Sequence, residues 1–131
     1  GRSLNKYSKN IKNIIFLGQQ SNVHDLMNMF DLLCLSSKAE GFPNVIGEAM
    51  STGIPCVTTD VGDAKDIVGE TGWISPPNDP VALAKCLDSA LKNSNRKLNE
   101  YGKISRKKII DNFSIDSVKN QYISLYNSTL E

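Results

Sequence analysis

A three-layer α/β/α fold around a parallel sheet is predicted by three features of the sequence: short continuous apolar runs, helix-period segments between them, and small polar or glycine-bearing loops where a run meets a helix. The runs are Asn13–Gly18, Asp31–Ser36 and Pro55–Thr59. They are apolar at successive positions instead of alternating with polar residues, the pattern of strands covered on both faces. Strand-helix alternation of this kind builds a Rossmann-like, doubly wound layer.

The first run, Asn13-Ile14-Ile15-Phe16-Leu17-Gly18, is β-branched and aromatic and closes on glycine, and it predicts a buried strand ending in a tight turn. A helix is expected next, with Val23, Leu26, Met27 and Phe30 at helical spacing and Asn22 with Asp25 as a capped start. Asp31–Ser36 predicts the second strand. After Asn44, the residues Val45, Ala49 and Met50 define an apolar helical face, and Gly53 is a natural stop. Pro55–Thr59 predicts the third strand, Ala64 to Val68 a short helix, and Gly72-Trp73-Ile74 a small strand. Asp79-Pro80 opens a helix carrying Leu83, Cys86, Leu87, Ala90 and Leu91, with proline at the favoured first position. Residues Arg96 to Asp111 are helix-compatible but weakly periodic. A Ser114 cap then precedes a stripe of Ile115, Val118, Tyr122, Leu125, Tyr126 and Thr129, and the basic run Arg106-Lys107-Lys108 reads as a solvated helix face.

At 131 residues the chain makes one domain with a real core and is too short for two domains with a cleft between them. The reading is a single domain over 1–131, with a core at 13–91 and a helical tail at 95–131. Opening almost directly on a strand, it reads as the N-terminally truncated part of a longer polypeptide. The hydrophobic content of 40% and net charge of +1 are ordinary globular values and point away from nucleic acid as a partner. Cys34, Cys56 and Cys86 have no C-x-x-C spacing and His24 is the one histidine, so they read as reduced core thiols of a cytosolic protein, not as metal ligands. No apolar run approaches the roughly 20 residues that span a bilayer.

Ligands of open parallel sheets bind at the carboxyl ends of the strands. Three loops are expected there: Gly18-Gln19-Gln20-Ser21, Ser37-Lys38-Ala39-Glu40-Gly41-Phe42 and Asp60-Val61-Gly62-Asp63. In the middle one, Glu40 is separated by the seven residues Gly41 to Gly47 from Glu48, about one turn into the next helix. A helix start presents free N–H groups and a positive dipole end to phosphate. A carboxylate in the first turns can accept hydrogen bonds from two vicinal hydroxyls, as a ribose offers. A lone glutamate early in a helix is ordinarily a solvated dipole partner, and glycines 53 and 72 read as turn or cap residues. His24 reads as an exposed helix residue and Trp73 as a packing residue.

The ordered series Phe16-Leu17-Gly18, Asp31–Ser37, Glu40-Gly41-Phe42, Glu48-Ala49-Met50, Gly53–Val57, Thr59-Asp60-Val61-Gly62, Thr71-Gly72-Trp73 and Pro76–Pro80 resembles the C-terminal domain of family 4 glycosyltransferases. The match runs in register from about Asn13 to Leu91. The resemblance implies the GT-B architecture, two Rossmann-like domains across a cleft, and a nucleotide-sugar donor (UDP- or GDP-sugar) held by the C-terminal one. It also implies retention of anomeric configuration without a metal or other cofactor. By resemblance Glu48 binds the ribose, Glu40 lies at the donor sugar as the catalytic-site glutamate, and Gly41, Phe42, Pro43, Asn44 and Val45 run along sugar and diphosphate, with Gly18 and Gly62 completing the donor site.

Two departures stand out. Pro43 replaces a common glycine and removes a backbone donor, and Val61-Gly62-Asp63 replaces a common Val-Gly-Gly. The family's basic pair that neutralises the diphosphate has no match in Arg2 or Lys6. The implied parent is a bacterial enzyme of surface polysaccharide synthesis that acts on a glycan or lipid-linked acceptor through a domain outside this chain. It would be cytoplasmic, with peripheral association at the inner membrane face, and the chain alone would be inactive. The competing readings are an epimerase-type GT-B enzyme and a noncatalytic nucleotide-binding module.

Overall fold

The computed structural model describes residues 13–129; Arg2 and Lys6 lie outside them. In chain order the elements are α1 (Val23–Met27), β1 (Leu33–Leu35), α2 (Asn44–Ser51), β2 (Cys56–Thr59), α3 (Ala64–Val68) with a 3-10 turn at Gly69–Thr71, β3 (Trp73–Ser75), α4 (Pro80–Leu91), α5 (Asn95–Phe113) and α6 (Ile115–Thr129). The three strands form one parallel sheet in the order β1-β2-β3. Every residue of the central strand β2 is buried, which requires cover on both faces. The Rossmann-like α/β architecture expected from the apolar runs is the one observed.

On one face the core joins Met27 of α1, Ile46, Ala49 and Met50 of α2, and Ile67 and Val68 of α3, with Leu33, Leu35 and Ile74 of the sheet packed against them. On the other face α4 lies over β2 and β3, entered as the sequence predicts: the Asp79 carboxylate accepts the Ala82 N–H at 2.9 Å and Pro80 takes the first turn. Among the described residues α4 covers β2 and β3 but not β1, and Cys34 is exposed, contrary to its reading as a core thiol. Partial burial and the neighbouring Cys86 raise its pKa, while burial, with Cys34 nearby, pushes the Cys56 thiol up to about 12. Both stay thiols near neutral pH.

Three local expectations need correction. Ile14–Leu17 is not a strand: it has no strand partner among the described residues, and Ile15 is 81% exposed. The residue types suit a strand, but a parallel strand exists only through its neighbour's hydrogen bonds. Asn22 precedes α1 as expected, yet its side chain makes no capping bond. The basic run on α5 is also more than a solvated face. Arg106 donates to the carbonyl of Ser51 at the end of α2, and Lys108 donates at 2.7 Å to that of Asp66 in α3. Cations on the carbonyl ends of helices satisfy orphan acceptors and favour the dipole. Of the three, only Lys107 pairs within its own helix, with Asp111 at 2.5 Å.

Helix α5 docks through Leu98, Gly102 and Ser105, all buried, with Tyr101 against Trp73 at 5.0 Å between ring centroids and the Ser105 hydroxyl on the Thr71 carbonyl at 3.2 Å. On this face Gly102 and Ser105 stand between Leu98, Tyr101 and Ile109, which weakens the hydrophobic period of Arg96–Asp111. At its centre Gly102 meets the end of α2. Gly53 (φ +83°) closes α2 with the two bonds of a Schellman turn, Gly53 N to Met50 O and Ile54 N to Ala49 O, both 3.0 Å. A Cβ on Gly102 would lie 1.9 Å from the Gly53 carbonyl oxygen.

Candidate functional site

The loop after β1 carries the first glutamate and is fixed from three sides. The Ser37 hydroxyl donates to Glu40 Oε1 at 2.7 Å, and the Thr59 hydroxyl at the end of β2 donates to the Ser37 carbonyl, also at 2.7 Å. The Gly41 carbonyl accepts the Asp63 N–H at 3.1 Å. That last bond brings the loops after β1 and β2 into backbone contact. Gly62, at φ +50°, sits so close that a Cβ would lie 2.0 Å from Gly41 O and 2.4 Å from Glu40 O. The residue pair that sequence spacing left unconnected, Glu40-Gly41 and Gly62, is therefore one structural unit.

Helix α2 starts directly from this loop. Pro43 occupies its N-cap and is buried, the Asn44 N–H bonds to Phe42 O at 3.0 Å, and the Ile46 N–H to Pro43 O at 3.0 Å. Among the described residues the Val45 N–H has no such partner, while the Val45 side chain packs against the core. Val45 thus offers the site its backbone N–H, not its side chain, whereas Pro43 has no N–H to offer. Glu48 lies five residues into α2. It is half-buried, and among the described residues no hydrogen bond or salt bridge engages its carboxylate. It lines a cleft of about 430 Å³ together with Phe42, Asn44 and Gly47 on its own side. The opposite wall is Ile109 and Phe113 of α5 and Val118 of α6.

Of the residues singled out from the sequence, the structure brings Phe42, Asn44 and Glu48 to this cleft; Glu40, Gly41 and Gly62 pack together in the preceding loops and do not line it. Gly18 stands apart, in open space, with no atom within 4 Å of where a Cβ would be. A second depression of about 340 Å³ lies between Ser36, Lys38, Thr59 and Asn78, and neither glutamate lines it. Sequence reasoning missed Ser37, whose hydroxyl orients Glu40, and Phe113, whose ring meets Phe42 at 6.2 Å between centroids. Serine at a loop start carries a weak signal, and nothing in linear spacing connects Phe113 to Phe42.

A parallel Rossmann-like layer with a polar, glycine-bearing loop entering a helix, and in that helix's second turn a carboxylate with no partner among the described residues, is the α/β architecture of the GT-B kind. Residues 1–93 match the family model described as "Glycosyl transferases group 1", and the chain belongs to that family. Over 119 residues it is 33% identical to an N-acetyl-alpha-D-glucosaminyl L-malate synthase of Bacillus anthracis, covering 89% of this chain and 31% of that protein. It is 28% identical over 120 residues to the Escherichia coli UDP-Gal:alpha-D-GlcNAc-diphosphoundecaprenol alpha-1,3-galactosyltransferase, covering 87% of this chain and 30% of that one. Among solved structures it aligns with a sucrose-phosphate synthase from Thermosynechococcus elongatus at a TM-score of 0.83 and 24% identity, over 98% of this chain and 34% of that one. It aligns with Anabaena Alr3699/HepE, solved in complex with UDP, at a TM-score of 0.68 and 29% identity, over 87% of this chain and 32% of that one. The chain thus spans about a third of the length of these relatives. Among the described residues no helix is long and apolar enough to cross a membrane.

Proposed function

We propose that this chain is the donor-binding domain of a retaining GT-B glycosyltransferase. The whole protein would transfer a sugar from a UDP- or GDP-sugar to a glycan or lipid-linked acceptor in bacterial surface polysaccharide synthesis. The observation that carries the reading is the Glu48 carboxylate, half-buried and without a partner among the described residues, in a cleft beside the start of α2. A ribose offers such a carboxylate two vicinal hydroxyl donors. The diphosphate then lies toward the α2 start, where the Val45 N–H and the helix dipole favour negative charge. The sugar reaches the Glu40 loop, where the Ser37 hydroxyl fixes one carboxylate oxygen and leaves the other for a sugar hydroxyl.

In this arrangement Glu48 binds, Glu40 orients the sugar, and the α2 start stabilises charge that grows on the departing diphosphate. Stabilising that charge more strongly in the transition state than in the bound donor is what accelerates transfer. The reading involves no metal cofactor, by the family resemblance. The acceptor is held by a domain outside this chain, so the chain alone is inactive. The full-length protein works at the inner face of the membrane, where lipid-linked acceptors are presented.

The test is product analysis with the full-length protein, given a panel of UDP- and GDP-sugars and glycan or lipid-linked acceptors. The expected product is a glycoside with the anomeric configuration of the donor. An epimerised nucleotide sugar, an inverted linkage or the absence of any sugar transfer would contradict the reading.

A further inference from the structure

The loop between Glu40 and α2 is held on one side by the Asp63–Gly41 hydrogen bond and the close approach of Gly62. On its other side the only described aromatic contact of Phe42 is Phe113, at the end of α5, with the rings tilted 56° to one another. Phe113 is the last helical residue before the corner into α6, a corner that is itself fixed. The Ser114 hydroxyl accepts the Ser117 N–H at 3.2 Å, the Ser117 hydroxyl donates to Asp111 O at 2.7 Å, and Gln121 Nε2 donates to Asn112 O at 3.2 Å. The Phe113 ring therefore projects from a rigid point, whereas Phe42 belongs to a loop and is 49% exposed.

Both rings line the cleft that holds the Glu48 carboxylate. We propose that Phe113 is a positioning residue for the donor: by bearing on Phe42 it sets the path of the Gly41–Asn44 backbone, and with it the aim of the α2 start at the diphosphate. The proposal rests on the donor-site reading above. It makes the α5–α6 corner, remote in sequence from the two-glutamate motif, part of the donor site. Tilted aromatic pairs at this separation are favourable beyond their area, and Phe113 spends that contact on a loop otherwise half in solvent.

The test is a double-mutant cycle on the full-length protein, with Phe42→Ala, Phe113→Ala and the pair. It is read by the dissociation constant of whichever of UDP and GDP the wild-type protein binds, alongside the melting temperature. Phe113→Ala is expected to weaken binding roughly 3- to 10-fold, and the double variant to bind no more weakly than the weaker single one, because Phe113 acts through Phe42. Phe113→Leu keeps apolar bulk at the corner and secures the fold; it too is expected to weaken binding, by about 2-fold or more. Unchanged affinity in Phe113→Leu, or additive losses in the cycle, would overturn the proposal. Glu48→Ala in the same assay separates the two failures. If it abolishes affinity while Phe113 variants do not change it, only the positioning role falls; if Glu48→Ala also leaves affinity intact, the donor-site reading falls with it.

Discussion

Replacing Gly102 by alanine is expected to lower the stability of the domain by about 3 kcal/mol, although glycine to alanine in an ordinary helix interior raises it by roughly 0.5–1 kcal/mol. The sign reverses because α5 crosses the end of α2 backbone against backbone. The new methyl would stand 1.9 Å from the Gly53 carbonyl oxygen, and the carbonyl cannot swing away without breaking the turn that ends α2. Moving α5 outward instead would draw Arg106 from the Ser51 carbonyl and Ser105 from that of Thr71. The measurement is thermal unfolding, with an expected fall of roughly 10 °C. Gly47→Ala is the control: it lies within α2 with no atom within 4 Å of the added carbon, so it should leave stability unchanged or slightly raised. A Gly102→Ala protein as stable as the wild type would show that the two helices do not meet in this way.

The second large effect concerns the site. Gly62→Ala is expected to reduce kcat/KM for the donor by about 100-fold in the full-length protein. Two penalties coincide at this position. Alanine at φ +50° is in the left-handed region, which costs about 1–2 kcal/mol. Its Cβ would also overlap the Gly41 carbonyl oxygen that accepts the Asp63 N–H. The Glu40 loop must then retreat from the loop after β2, and the Glu40 carboxylate moves with it. Full activity in this variant would mean that the contact between the two loops has no part in holding the donor.

Much of the architecture was legible because it rests on local rules. The runs Leu33–Leu35 and Cys56–Thr59 are strands because they are short, rich in apolar and β-branched residues and bounded by turn residues; the α4 start is written in Asp79-Pro80, and the α2 stop in Gly53. The failures occur where structure depends on what a segment meets. Ile14–Leu17 has strand chemistry without a strand to pair with among the described residues. The α5 docking face is blurred in hydrophobic periodicity because Gly102, Ser105 and the cations Arg106 and Lys108 share the docking with Leu98, Tyr101 and Ile109. The same division runs through the site. Glu40 and Glu48 were visible as residue types in a recognisable order, whereas the Ser37 hydroxyl on Glu40, the Gly62–Gly41 approach and the Phe42–Phe113 contact exist only in three dimensions. Residue identity names a candidate ligand; only geometry shows that Glu48 has no partner among the described residues.

The assignment of Glu48 to the ribose is the centre of the account, and it is tested most directly by the affinity of the full-length protein for UDP and GDP with Glu48 replaced by alanine. Loss of hydrogen bonds from a charged acceptor is expected to weaken binding of the preferred nucleotide by about 10- to 100-fold. Because the carboxylate has no partner among the described residues, stability should change by no more than about 0.5 kcal/mol. Undiminished affinity in a folded Glu48→Ala protein would contradict the assignment and place the nucleotide elsewhere on the domain.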